Sequence, residues 1–231
     1  DMGLAPESVA LALRADGWWV RKRIVWEKNN PMPSSAEDRP TSSIEFIWML
    51  SKRSRYFFDM YAVREPNTIG TIERMKSQPV LMGKKQTEGL GHWKGAEGYE
   101  EANGRHLRDV WRFPTSPSKP GESNFATFPL ELPRRCILAG TSERGVCPKC
   151  GALWTRVLEK TGHQNRREPA HVPNHSPTKT DSTGWAPTVV ATNDWQPTCR
   201  CDAGEPVQSV VLDPFVGSGT TCLAAKQLNR H

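Results

Sequence analysis

The chain has 231 residues, with 31 Lys and Arg against 25 Asp and Glu, a net charge of +6, and nine Trp, nineteen Pro and six Cys. That length holds one large domain, or one domain and a small module. No apolar run is long enough for a membrane span and no signal-peptide pattern opens the chain, so a cytoplasmic protein is expected. The modest positive surplus suits an anionic partner such as nucleic acid without demanding one. The many Trp and Pro residues argue against a helical bundle. The first residue is Asp and the last residues continue a helical pattern, so the chain reads as cut at both ends.

Pro6 to Gly17, PESVALALRADG, reads as a helix with Pro in its first turn and Gly at its stop. WWVRKRIVW (Trp18 to Trp26) alternates apolar and basic residues and is rich in β-formers, which predicts a strand. A polar, Pro-containing loop (Glu27 to Ser43) leads to a second strand, IEFIWMLSK (Ile44 to Lys52), expected to be buried on both faces. RYFFD (Arg55 to Asp59) is predicted as a third strand, in a hairpin across KRS. Residues 62 to 112 are weakly patterned, and irregular structure is expected there. LELPRRCILAG predicts a short helix with Pro133 at a kink or near the start. The closing stretch, VVLDPFVGSGTTCLAAKQLNRH, reads as a buried strand (Val210 to Leu212), a glycine loop and a helix.

Four of the six Cys fall in two tight pairs, CPKC (Cys147, Cys150) and CRC (Cys199, Cys201). In a chain without a secretion signal, paired Cys point to metal more than to disulfides. Four soft thiolates on two turns suit a structural zinc. The segment between the pairs is long, polar and rich in Pro, Thr, Asn and His, which predicts a surface loop. His163, His171 and His175 lie in it and are read as loop residues, not ligands.

The glycine loop discriminates among ligands. A phosphate-binding P-loop needs Lys after its last Gly, and here Gly219 is followed by Thr220 and Thr221. A dinucleotide fingerprint needs a third Gly where Cys222 stands. Without Cβ at Gly217 and Gly219 a ligand can approach the backbone closely. Amides at the helix start suit a carboxylate, and Asp213 suits an ammonium group. A ligand with both groups on one carbon is an amino acid, such as the methionyl end of S-adenosylmethionine.

VVLDPFVGSGTT resembles the cofactor motif of the amino DNA methyltransferases, which methylate N6 of adenine or N4 of cytosine. The block from Gly17 to Asp59, with its WEK, NNPMP and LSK elements, resembles their central block. NFATFPLELPRRCILAGTSERG resembles their other cofactor segment, and CPKCGALW resembles a small metal-binding insertion in some relatives. Two positions depart from the family pattern: Ile44 precedes Glu45 where His is frequent, and Asn124 opens the second cofactor segment where His is frequent.

The resemblance implies an α/β, Rossmann-like S-adenosylmethionine-dependent methyltransferase fold, truncated at both ends, with a zinc-ribbon-like insertion. It implies cofactor contacts from Phe125, Ala126, Thr127 and Phe128, and from Asp213, Pro214, Phe215, Gly217, Ser218, Gly219, Thr220 and Thr221. The metal ligands would be Cys147, Cys150, Cys199 and Cys201. Residues 1–61 would belong to the catalytic domain, 62–112 to target recognition, 113–146 to the cofactor side, 147–201 to the zinc insertion and 202–231 to the glycine-loop unit. Lys84, Lys85, Lys94, Arg105 and Arg108 are candidate readers of sequence. The implied partners are double-stranded DNA and, in restriction-modification systems, a cognate restriction endonuclease.

The family's chemistry rests on Asp, Asn or Ser followed by Pro-Pro and an aromatic residue. NPMP (Asn30 to Pro33) and DPFV (Asp213 to Val216) both lack adjacent prolines. In this motif order the tetrapeptide precedes residue 1, so no catalytic residue is assigned and the chain by itself is expected to be inactive. RKR (Arg21 to Arg23) and KRSR (Lys52 to Arg55) read equally well as a solvated face or as phosphate contacts. A non-catalytic zinc-dependent DNA-binding module stays open as an alternative, as does methylation of RNA or protein.

Overall fold

In the computed structural model the described residues are 4–70, 73, 104–116, 127–161, 189–202 and 204–231. The chain divides into two compact units, one of residues 1–63, 107–155 and 197–231, the other of residues 64–106 and 156–196.

The first unit opens with α1 (Ala5–Ala15), which has Pro in its first turn. Its end is closed by the amides of Gly17 and Trp18, which donate to Arg14 O and Leu13 O at 3.1 and 3.0 Å. That pattern needs a residue of positive φ just past the helix, and Gly17 sits at +91°. Strand β1 (Trp19–Lys28) follows and pairs antiparallel with β2 (Ile44–Ser51), from Trp19 against Ser51 to Glu27 against Ile44. A bulge lies between Val20 and Lys22. A third strand, β3 (Val110–Phe113), runs parallel to β1, giving the order β2-β1-β3.

One face of this sheet carries the core. Trp26, Trp111 and Phe113 are buried together, with Ile24, Ile47, Leu107, Phe128 and Leu132 against them. Helix α2 (Glu131–Gly140) covers that face, its Arg135 guanidinium lying 5.6 Å from the Trp111 ring. Pro133 sits in the first turn of α2, where its missing N–H leaves no bond unmade. A second cluster joins Ile137 of α2 to Ala224 and Ala225 of α3 (Thr220–Gln227), with Leu130, Val211 and Leu228 packed on it.

Four expectations are corrected. Arg55 to Asp59 forms no strand: Arg21 holds the preceding turn, donating to the carbonyls of Arg53 and Ser54. Asp59 then turns the chain by accepting the amides of Tyr61 and Ala62. Irregular structure was expected through residue 112, yet β3 begins at Val110. Its Val-Trp-Arg-Phe alternation buries Trp111 and Phe113 and exposes the residues between. Val210 to Leu212 is extended but is not a buried strand, with Val210 75% and Leu212 86% exposed. Among the described residues its backbone exchanges bonds with His231, which donates to Ser209 O and accepts from Val211 N in the manner of a parallel pair. β2 is half-buried along most of its length rather than buried on both faces.

The second unit contains most of β4 (Trp154–Thr161) and β5 (Val189–Pro197), which form a two-stranded sheet. Arg156 lies over the Trp195 ring at 4.4 Å. Glu65 and Arg105 pair there through backbone and side chain, the latter at 2.9 Å. No helix among the described residues is long and apolar enough to cross a membrane.

Candidate functional site

The segment from Asp213 to Thr221 is a sequence of short-range turns. Asp213 Oδ1 accepts the Phe215 amide at 2.9 Å, which bends the chain at Pro214. The Gly219 amide donates to Val216 O at 2.9 Å, closing a second turn across Gly217 and Ser218. Gly217 and Gly219 have φ of +52° and +82°, conformations that L side chains rarely adopt. A Cβ on Gly219 would meet nothing within 4 Å, and one on Gly217 only Phe215 O at 3.7 Å. The space above the loop is therefore open to a ligand.

Gly219 is the N-cap of α3, and the Leu223 amide returns to Gly219 O at 2.9 Å. The first-turn amides of Thr220, Thr221 and Cys222 have no acceptor within the helix. Ser218 Oγ and Thr220 Oγ1 lie 3.1 Å apart across the turn.

Beside the loop is a cavity of about 280 Å³, lined by Val211, Asp213, Thr221, Cys222, Ala225, Lys226, Arg230 and His231. Of the residues expected at the cofactor, Asp213 and Thr221 reach its wall. Pro214, Phe215, Gly217, Ser218, Gly219 and Thr220 lie on the loop and N-terminal turn beside it, with Phe215 89% exposed. Thr127 and Phe128 are half-buried, and Phe128 packs on the Trp26 cluster. Phe125 and Ala126 lie outside the described residues, as do Lys84, Lys85, Lys94, His163, His171 and His175. Arg105 is paired with Glu65, and the Arg108 carbonyl accepts Trp111 Nε1 at 2.8 Å.

Sequence reading missed Lys226, Arg230 and His231. Arg230 is buried, its Nε donating to Thr141 Oγ1 at 3.0 Å and its Nη1 to Leu228 O. It joins the end of α3 to the end of α2. Its place beyond the helix gave no pattern to find it by.

The four paired Cys converge. Their sulfur atoms all lie within 4.8 Å of one another. A tetrahedron with Zn–S bonds of about 2.3 Å has sulfurs about 3.8 Å apart, so the spacing fits zinc with a small contraction. The Cys147–Cys150 half is built by backbone bonds. Cys147 O accepts the Gly151 amide at 2.9 Å and the Cys147 amide donates to Ala152 O at 2.8 Å, a tight knuckle with Gly151 at φ +71°.

The two halves are tied together outside the thiols. Val146 and Val207 exchange amide bonds at 2.8 and 2.9 Å, and Arg144 meets Glu205 at 2.7 Å. A Cβ on Gly145 would lie 2.2 Å from Val207 O, so only Gly allows that approach. Thr198 Oγ1 donates to Leu153 O at 2.7 Å. The amides of Cys150 and Lys149 hold the Cys147 thiol down at about 7, while the Cys150 and Cys199 thiols push Cys201 up to about 12. A cluster of thiols that resists joint ionisation is one that a cation would relieve.

Comparison with known proteins identifies a family. A family model described as DNA methylase, of the N6/N4 type, matches residues 3–147 and 202–231. The type II methyltransferase M.Cfr9I of Citrobacter freundii is 39% identical over 136 residues, which are 59% of this chain and 34% of that protein. M.XycI of Xanthomonas campestris pv. cyanopsidis is 36% identical over 140 residues, 61% of this chain and 35% of that one. The chain thus spans about a third of the length of these relatives. The solved M1.HpyAVI–SAM complex superposes with a TM-score of 0.41 at 19% identity, covering 100% of this chain and 62% of that one, a likeness too slight to argue from. The family match spans the sheet, both helices of the second cluster and the glycine loop, so the chain belongs to the N6/N4 DNA methylase family and its α/β elements are part of that family's methyltransferase fold.

Proposed function

We propose that this chain is the cofactor-binding part of an S-adenosylmethionine-dependent DNA methyltransferase acting on the exocyclic amino group of adenine or cytosine. The observation that carries the reading is the loop from Asp213 to Thr221, open above two positive-φ glycines and bordered by the cavity that Asp213 and Thr221 line. When bound, S-adenosylmethionine supplies an electrophilic methyl group. The Asp213 carboxylate accepts its ammonium group, and the first-turn amides of α3 take its carboxylate. Gly217 and Gly219 let the backbone approach. Thr127 and Phe128 flank the cofactor, and Pro214, Phe215, Ser218 and Thr220 shape the loop. A direct transfer needs positioning and charge complementarity, and none of the six Cys serves as a nucleophile.

Cys147, Cys150, Cys199 and Cys201 hold a structural zinc. The gap in the family match, residues 148–201, supports reading that segment as an insertion on the methyltransferase. The names of the relatives support a type II restriction-modification setting, with double-stranded DNA as substrate and a cognate endonuclease as partner. The second reading, a zinc-dependent DNA-binding module without cofactor affinity, rests on the thiol cluster.

Isothermal calorimetry with S-adenosylmethionine separates the two. The chain binds it saturably, and Gly217→Arg and Asp213→Ala each weaken binding at least tenfold. Absence of binding, or equal binding by all three proteins, sinks the cofactor reading.

A further inference from the structure

The cations of the β1–β2 hairpin are of two kinds. Lys22 lies 2.7 Å from Asp109, and Lys28 lies 2.5 Å from Glu45. Arg112 of β3, beside them, lies 2.8 Å from Glu27. All three are neutralised locally. Arg23, Lys52, Arg53 and Arg55 meet no carboxylate among the described residues. The carboxylate that follows them, Asp59, is buried and accepts two amides.

Aromatic rings take the place of carboxylates here. Arg23 lies 4.9 Å from the Phe46 ring and 6.0 Å from Trp48. Lys52 lies 5.1 Å from Trp18, and Arg21 lies 4.9 Å from Trp19 and 4.6 Å from Tyr56. These contacts all fall between Trp18 and Tyr56, where an ordinary chain has about one per 70–80 residues. Trp19 and Tyr56 remain 50% and 46% exposed. Arg21 itself is committed to the fold: its Nε donates to Ser51 Oγ at 2.9 Å and its Nη2 to Arg53 O at 2.7 Å. It fixes the turn from which Lys52, Arg53 and Arg55 emerge.

We propose that the hairpin from the Arg23–Trp48 pair to its Trp19–Ser51 end, with the turn that follows, is a docking surface for the phosphate backbone of duplex DNA, with Arg23, Lys52, Arg53 and Arg55 as the phosphate contacts. Cations free of carboxylates keep their full attraction for a polyanion. Those that rest on rings are already ordered, so less side-chain freedom is lost on binding. Exposed rings beside them offer apolar contact to the sugars, while phosphate contacts set register and carry no sequence preference. The proposal rests on the DNA methyltransferase reading above, and its test is independent of the cofactor loop.

The test is anisotropy of a labelled duplex with the full 231-residue chain over a salt series, for wild type and for Arg23→Gln, Lys52→Gln, Arg53→Gln and Arg55→Gln, singly and together. Each lost contact lowers the log–log salt slope by about 0.9. The combined variant binds at least tenfold more weakly, and its calorimetric titration with S-adenosylmethionine matches wild type. Arg55 is exposed, so the single Arg55→Gln chain folds and keeps the test decisive. Arg39, paired with Asp38 at 3.0 Å, is the control, and Arg39→Gln leaves the slope unchanged. A combined variant with wild-type slope and affinity overturns the proposal. So does an equal loss in Arg39→Gln, which reduces the effect to net charge, or a single strand that outcompetes the duplex with the same slope. If DNA binding behaves as stated but S-adenosylmethionine does not bind, the cofactor reading falls and this surface stands.

Discussion

Trp26 and Phe113 are joined twice: their rings stack with centroids 5.4 Å apart and planes 22° apart, and Trp26 Nε1 donates to Phe113 O at 3.0 Å. The stack links the C-terminal part of β1 to the end of β3 across a sequence separation that no local signal spans. Trp26→Phe keeps the stack and leaves a buried carbonyl unpaired, at a cost of about 1–3 kcal/mol. Trp26→Ala also opens a cavity, for about 3–5 kcal/mol. Urea unfolding followed by far-UV circular dichroism orders the three proteins. A Phe variant as stable as wild type would show the indole bond to be immaterial.

The thiol cluster yields a metal prediction. Purified chain carries one zinc by emission spectroscopy, and a strong chelator removes it with a fall in the thermal midpoint. Cys147→Ser or Cys201→Ser lowers zinc content and midpoint together, because three thiolates complete no tetrahedron. A metal-free chain with the same midpoint as wild type refutes a structural zinc.

At the glycine loop, Gly219→Ala forces an L residue to φ +82° where its Cβ meets no atom. The strain is about 1–2 kcal/mol, with no steric clash. The expected result is a small loss of stability with a measurable loss of S-adenosylmethionine affinity. Normal affinity in a destabilised chain would place the ligand elsewhere.

The chain contains no Asp, Asn or Ser followed by Pro-Pro and an aromatic residue. Incubated with DNA and radiolabelled S-adenosylmethionine, it is expected to transfer no methyl above background. Robust transfer would mean that another constellation clamps the base.

The ion pair at the edge of the sheet titrates in a known direction. A hydrogen bond from Lys22, and then its charge, hold the Asp109 carboxyl below the ordinary carboxylate range. A depressed carboxylate stabilises the fold above its unfolded pKa of about 3.9, and that contribution is lost as pH falls through the lower folded value. Lys22→Met returns Asp109 to the ordinary range in a carboxyl NMR titration. Both groups are exposed, so the acid unfolding midpoint moves little. An unshifted Asp109 resonance in the variant would rule out Lys22 as the cause.

Local chemistry wrote several features directly into the chain. Pro6 and Gly17 bound α1 because one tolerates a missing amide bond and the other a positive φ. The alternation of Trp18 to Trp26 marks β1, since successive side chains leave a strand on opposite faces. Gly217 and Gly219 mark the loop, and the paired thiols mark the knuckles, each by a rule acting over a few residues. Whether Val210 to Leu212 would be buried was beyond such rules: a strand's burial depends on what lies beside it, and among the described residues its backbone pairs with His231. The same holds for Arg230, which reaches Thr141 through folding alone, and for Arg23 and Arg21, alike in sequence but unlike in role. Both rest on rings and meet no carboxylate among the described residues, but only Arg21 also closes a turn thirty residues away. Short-range geometry is set by each residue's own sterics and hydrogen bonds. Which charges are neutralised and which faces are covered is set by partners that only the folded chain brings near.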